Sequence, residues 1–325
     1  MKKNILLAVF GMVLFILLTT PVRAMETDAI ALISSFSGDV KVNHTDKKSL
    51  QPLHLGMQLF ENDEIYTYDN SKASLLFIDG SVITVWPNSQ LKVVPGEISA
   101  KKEGTLVATL SRKVLTTIKG IFSGNMKEET LTAIPGIRKK IEKEKNRVTI
   151  AYPRNSIILS LTPTFRWKIS GDNNTFLISL TLKGMEGTLW AAQTDSTAIL
   201  YPEGQKSLKR GQTYFLKVQS ANDSSLYDEV YFRILEQEKA TEVIGFEKKM
   251  MMLQKSNRDD MSPSFILATF YKGKGLFHQA LIEFERLEKQ NPEDRFILEQ
   301  KREIFAKTGL WEEWETVNRK LTGMN

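Results

Sequence analysis

The chain has no cysteine and only three histidines in 325 residues. The first absence removes thiol nucleophiles, thiolate metal ligands, disulfide staples and any lipid attachment at a cysteine. The histidines, His44, His54 and His278, are scattered, with no HExxH and no paired spacing. There is no Gly-x-Ser-x-Gly elbow, and Gly120 and Gly124 do not make a phosphate-cradling loop. Neither an enzyme nor a metal or other cofactor is therefore expected. Carboxylate pairs for glycoside hydrolysis are set by fold and not by spacing, so an unrecognised hydrolase stays as the last-ranked reading. Asp63, Asp69 and Asp79 are explained as turn residues.

Long apolar runs are scarce as well. One exists, Ile5 to Leu18, preceded by Lys2 and Lys3 and followed by Val22-Arg23-Ala24. It is shorter than the roughly 20 residues of a spanning helix. Residues 1–24 read as a secretory signal cleaved after Ala24; the alternative is an uncleaved anchor. Either places the rest outside the cytoplasm, in the periplasm or cell envelope of a bacterium. An exported chain without disulfides must hold each domain by its own core. With 42% hydrophobic and 25% charged residues, the composition allows two or three such cores.

Between Ile33 and Val93 short apolar runs alternate with tight polar turns. Asp79-Gly80 separates Ala73–Ile78 from Val82–Trp86, a hairpin pattern that predicts a type I′ turn. The strand at 73–78 is apolar on both faces. The series Gly38-Asp39-Val40, Leu55-Gly56, Asn62-Asp63-Glu64-Ile65-Tyr66-Thr67, Ser71-Lys72-Ala73, Phe77-Ile78-Asp79-Gly80-Ser81 and Pro87-Asn88-Ser89 resembles the FecR domain, an all-β extracytoplasmic module. Asn62-Asp63 stands where that family usually has Gly-Asp. Leu131 to Arg138 resembles its second half, with Lys139-Lys140 in place of Gly-Thr. The resemblance places a FecR-like β domain over residues 33–138 and implies a non-enzymatic role in sensing or scaffolding. Regulators of that family carry a cytoplasmic segment that controls a sigma factor; with a signal at residue 1, an anti-sigma role is not expected.

Residues 101 to 147 are rich in Lys and Arg. Ser111 to Phe122 fits a strand or an amphipathic helix, and the residues do not separate the two. Residues 139–147 read as a charged linker. Arg138, Lys139 and Lys140 are either a solvated face or a contact for an anionic surface or acidic wall polymer. Nucleic acid is not expected, because export removes it and no aromatic interleaves with the 138–147 charges.

From 148 to 236, short strands recur between turn signals, the pattern of a β-sandwich. Pro163-Thr164-Phe165-Arg166-Trp167 with Tyr201-Pro202 resembles fibronectin-type modules. Trp167 reads as a core aromatic; Trp190 reads equally as core or as a glycan-stacking surface.

After Leu235 the texture turns helical. Thr241–Gln254 reads as a helix, with Met250, Met251 and Met252 packing against a neighbour. A repeat then appears at an offset of 34: Tyr271 with Phe305, and Gly275-Leu276-Phe277 with Gly309-Leu310-Trp311. Its length and its small and aromatic positions resemble tetratricopeptide repeats. Ala280 in the first unit falls opposite the bulky Trp314 in the second, so the second unit reads as a cap. The region 241–322 is either a docking surface, with Tyr271, Phe284, Phe305, Trp311 and Trp314 as the partner-binding residues, or a helical domain that packs on the sandwich. The expected whole is multidomain and mainly β, a FecR-like module plus a sandwich, followed by a small helical tail. Its expected partner is an envelope protein, with peptidoglycan or another glycan as the alternative.

Overall fold

Gly and Asn residues at positive φ cut the N-terminal part into short strands, and the apolar residues between them fill one core. A computed structural model describes residues 29–47, 49–94, 120, 147–171, 175–205, 207–256 and 258–324. The expected signal, most of the basic stretch, and Arg138, Lys139 and Lys140 lie outside these residues. The first β region comprises β1 (Ala31–Ser37), β2 (Val40–Asn43), β3 (Gln51–Pro52), β4 (Gln58–Leu59), β5 (Glu64–Thr67), β6 (Lys72–Phe77), β7 (Val82–Val85) and β8 (Ser89–Lys92). They form two four-stranded antiparallel sheets, ordered β4-β1-β6-β7 and β3-β2-β5-β8.

The β6–β7 hairpin forms as expected, but its turn is not type I′. That turn needs positive φ at two residues, and here Gly80 has it (φ 87°) while Asp79 does not. The Asp79 carboxylate instead accepts from Ser81 N (2.9 Å) and Ser81 Oγ (2.8 Å), which holds a wider loop.

The second β region comprises β9 (Arg147–Tyr152), β10 (Ser156–Ile158), β11 (Thr164–Ser170), β12 (Phe176–Leu182), β13 (Trp190–Thr194), β14 (Ala198–Leu200), β15 (Thr213–Ser220) and β16 (Tyr227–Ile234). A sheet ordered β10-β16-β15-β12-β13 faces a sheet ordered β14-β11-β9 across a separate core. All pairings are antiparallel except β10 with β16. Phe165, Trp167, Phe176, Tyr201, Tyr214 and Phe232 fill that core.

Five helices follow: α1 (Gln237–Ser256), α2 (Ser262–Gly273), α3 (Phe277–Gln290), α4 (Arg295–Thr308) and α5 (Trp311–Thr322). The 34-residue offset is visible as two helix pairs, α2/α3 and α4/α5. Each pair is joined at a glycine with positive φ, Gly275 (69°) and Gly309 (77°), where a side chain would be strained. Of the three methionines expected to pack, Met250 is buried, but Met251 and Met252 are exposed.

The helices are not a tail resting on the sandwich alone. One continuous core joins the first β region to α1, α2 and α3, with Ile297 and Ile304 from α4. At its seam Ser34 Oγ lies 2.7 Å from Ser262 Oγ, Met261 N donates to Ser35 Oγ (3.3 Å), and Leu55 N donates to Asp294 Oδ2 (2.8 Å). The second β region grips the other side. Ile157 N donates to Gly275 O (3.0 Å), and Arg154 Nε and Asn155 Nδ2 each donate to Thr308 O (2.9 Å).

Candidate binding surface

The residues named from sequence do not converge on one site. Tyr271 (3% exposed), Phe284 (0%) and Phe305 (7%) are interior, so they hold helices together and offer nothing to a partner. Trp311 and Trp314 are half-buried, with ring centroids 6.2 Å apart at 68°. Beside them Glu312 pairs with Arg147 (3.7 Å) and Glu313 with Lys168 (2.5 Å), so this end of α5 lies against the second β region. Trp190 (8% exposed) packs its ring against Phe165 and Tyr201. A buried indole cannot be a glycan platform; Trp190 is a core residue, as Trp167 is.

The titratable groups are each explained by packing. Asp63 is buried, lies 2.8 Å from His44 Nδ1, and accepts from Thr45 N and Phe60 N. Asp69 accepts from Asn88 Nδ2. His54 Nδ1 lies 2.9 Å from Leu55 O. The His278 ring lies against Tyr152, centroids 4.4 Å apart and tilted by 39°; burial, aided by the Arg166 charge, holds its pKa below the usual value. Between α1, α2 and α3, burial raises the pKa of Tyr271, whose hydroxyl meets Glu247. Burial also raises that of Glu283, against the pull of Arg286. Among the described residues no group of three or more His, Asp or Glu is spaced to hold a metal.

What remains is a surface. The outer face of the five-stranded sheet is a grid fixed by register. Gln193, Leu177, Gln219 and Tyr227 form one row across β13, β12, β15 and β16; Ala191, Ser179, Lys217 and Glu229 form the next. Small Ala191 and Ser179 sit between larger neighbours and leave a shallow depression of about 450 Å³. Lys217 Nζ leans over the Tyr227 ring at 4.5 Å and closes one side. Leu177 (41% exposed) and Tyr227 (38%) supply apolar surface.

The other side opens onto β13, an edge strand with no further partner among the described strands. Edge strands are usually guarded by charge, proline or a bulge. β13, Trp-Ala-Ala-Gln-Thr, has no charge or proline, and its register with β12 is unbroken. The sequence does place a strand here. The signal that could have found the site was the run of small uncharged residues after Trp190, not Trp190 itself.

No family model matches the chain, and no curated protein matches it. Among solved structures, a chain described as a cell surface anchoring domain is similar at 23% identity and a TM-score of 0.19, covering 20% of this chain and 86% of its own length.

Proposed function

We propose that this chain is a non-enzymatic exported envelope protein that binds another protein through the outer face of its five-stranded sheet. The observation that carries the reading is the depression beside an unguarded edge strand. An extended segment of the partner that adds to β13 gains main-chain hydrogen bonds, and its alternate side chains reach the hollow at Ser179 and Ala191. Export rests on the signal-like residues 1–24, and the sensing or scaffolding role on the resemblance to FecR domains over residues 33–138. The fibronectin-like and tetratricopeptide-like assignments belong to the same proposal; two sheets around one core and paired helices of matching length support them.

The test places a photo-crosslinking residue at Ala191 in cells, with mass spectrometry of the product. The captured protein is then purified, and hydrogen exchange is measured on the complex. The expected result is one envelope protein, protection of the Trp190–Thr194 amides, and loss of both when Ser179→Arg fills the hollow. Capture that survives Ser179→Arg, or protection that falls elsewhere, overturns the proposal.

One observation favours the glycan alternative at a new place. Trp86 is 62% exposed, and Tyr68, close to it in the first β region, is 39% exposed. Sedimentation with purified peptidoglycan that Trp86→Ala abolishes would move the reading there.

A further inference from the structure

We infer that the outward face of α1 is a contact surface for anionic lipid headgroups. The argument begins with helical periodicity. The inward face of α1 carries Ala240, Val243, Phe246 and Met250, all buried against the common core. Residues 244, 248, 251, 252 and 255 share the opposite side, because positions three and four apart overlap on a helix. That side exposes Ile244 (52%), Met251 (49%) and Met252 (57%). Lys248, Lys249 and Lys255 are exposed among and beside them.

Three large apolar side chains half in water on one helix are not explained by packing. A helix of a globular protein normally turns charged and polar residues to solvent, and a cluster of large apolar side chains there marks a contact surface. The acidic residues of the helix beyond its first turn do not balance the lysines. Glu242 pairs with Lys274 (3.8 Å), and Glu247 meets the Tyr271 hydroxyl on the inner side. The outer face thus combines unbranched and branched apolar tips with lysines that have no acidic partner among the described residues.

That combination fits a bilayer surface better than a peptide. Its lysines have no acidic partner among the described residues, and a phosphate-bearing surface supplies opposite charge to a whole convex face at once. At a bilayer, methionine and isoleucine tips enter the headgroup boundary while lysine stems extend to phosphate oxygens. No described helix is long and apolar enough to cross a membrane, so this contact lies on the surface. It stands whether or not the sheet face binds a protein.

The experiment is sedimentation of the chain from Met25 onward, without the apolar run at 5–18, with vesicles of mixed phosphatidylglycerol and phosphatidylcholine, and with phosphatidylcholine alone, at low and high salt. Binding is expected to the anionic vesicles only and to weaken with salt. Lys248→Gln, Lys249→Gln and Lys255→Gln together are expected to weaken it by roughly a hundredfold. Ile244→Ser, Met251→Ser and Met252→Ser together are expected to weaken it by roughly tenfold or more. All six positions point to solvent, so both variants should melt as the parent does, which circular dichroism checks. Equal binding to neutral vesicles overturns the proposal. So does no binding at all, or binding that the lysine variant leaves unchanged, since the cationic stretch at 138–147 would then carry it.

Discussion

The two β regions solve the same problem in different ways. In the second, β15 alternates strictly, with Tyr214, Leu216, Val218 and Ser220 buried and the residues between them partly open. One face of the sheet meets its own core and the other meets water, as in most antiparallel sheets. In the first, β1 buries Ala31 through Ser35 without a break, and β6 buries Ala73 through Phe77. Both faces of that sheet are covered, one by the β3-β2-β5-β8 sheet and the other by helices, as the Ser34–Ser262 contact marks. The second region closes its own core and lends only Ile157, on β10, to the shared one. The first is a β layer whose other half is helical and begins only at Gln237, well after β8 ends at Lys92.

The largest test of this difference is a matched pair of core deletions. Phe265 on α2 and Phe165 on β11 are both fully buried, and each truncation to alanine should cost about 3–5 kcal/mol. Phe265→Ala should raise hydrogen exchange in β1 and β6 as much as in α2, leaving β12 and β15 protected. Phe165→Ala should do the reverse. If Phe265→Ala loosens only helices, the shared core is not one cooperative unit.

Next in size is Gly56→Ala. Gly56 has φ 70°, and the Phe296 ring lies 2.7 Å from where a Cβ would stand. Phe296 is itself held between Phe265 (5.5 Å) and Phe284 (6.5 Å), so it has little room to retreat. Overpacking with strain should cost about 2 kcal/mol or more, read as a lower melting temperature. An unchanged melt would mean that the β region and α4 are less tightly joined than the geometry shows.

How much of this could be read from sequence depends on what each signal reports. The alternation of β15 and the turn signals around it are local, and they mark the second region as short strands between turns. The apolar character of β6 on both faces was also legible. What covers its second face was not, because no local pattern names a partner so distant in sequence. The pairing of Gly275-Leu276-Phe277 with Gly309-Leu310-Trp311 was legible because the same turn needs the same glycine. That pairing left Tyr271 and Phe305 open between a partner's surface and packing within a helical domain. They are buried because the repeat's aromatic positions pack between its own helices. Trp190 stayed open between core and glycan surface for a related reason: an aromatic in a strand has two faces open to it, and only the register shows which one it takes. The hollow at Ser179 and Ala191 was missed because it is made by small residues, which carry no motif.

A smaller effect sits at one carboxylate that joins the regions. Asp294 caps α4 by accepting from Ile297 N (3.2 Å) and also accepts from Leu55 N in the first β region. Burial raises its pKa even though these donors favour the charged form. Asp294→Ala removes a cap and leaves Leu55 N without its acceptor, a combined cost of about 2 kcal/mol. Asp294→Asn keeps an acceptor oxygen and should cost less. If the two variants were equally unstable in chemical denaturation, the oxygen that asparagine keeps would contribute little to either the cap or the bond to Leu55.

The smallest expected effect probes the other seam, where the second β region meets α3. His278 lies against Tyr152 there, and burial lowers its pKa from the usual 6.5. A lowered histidine pKa means the unfolded chain takes up a proton more readily than the folded one. Stability from this group is therefore present above about pH 6.5 and is lost as pH falls through that value toward the folded pKa. Glu283, with its pKa raised by burial, works in the opposite direction, losing stability as pH rises through its folded value. The difference between two proteins isolates the histidine. Between about pH 7 and pH 5 the parent should lose more melting temperature than His278→Gln, whose side chain does not titrate. Parallel losses would show that the Tyr152–His278 contact does not set the acid response of this seam. A loss confined to the parent, with hydrogen exchange rising first at α3 and β9, would show the helices parting from the self-contained β region while still bound to the one they complete.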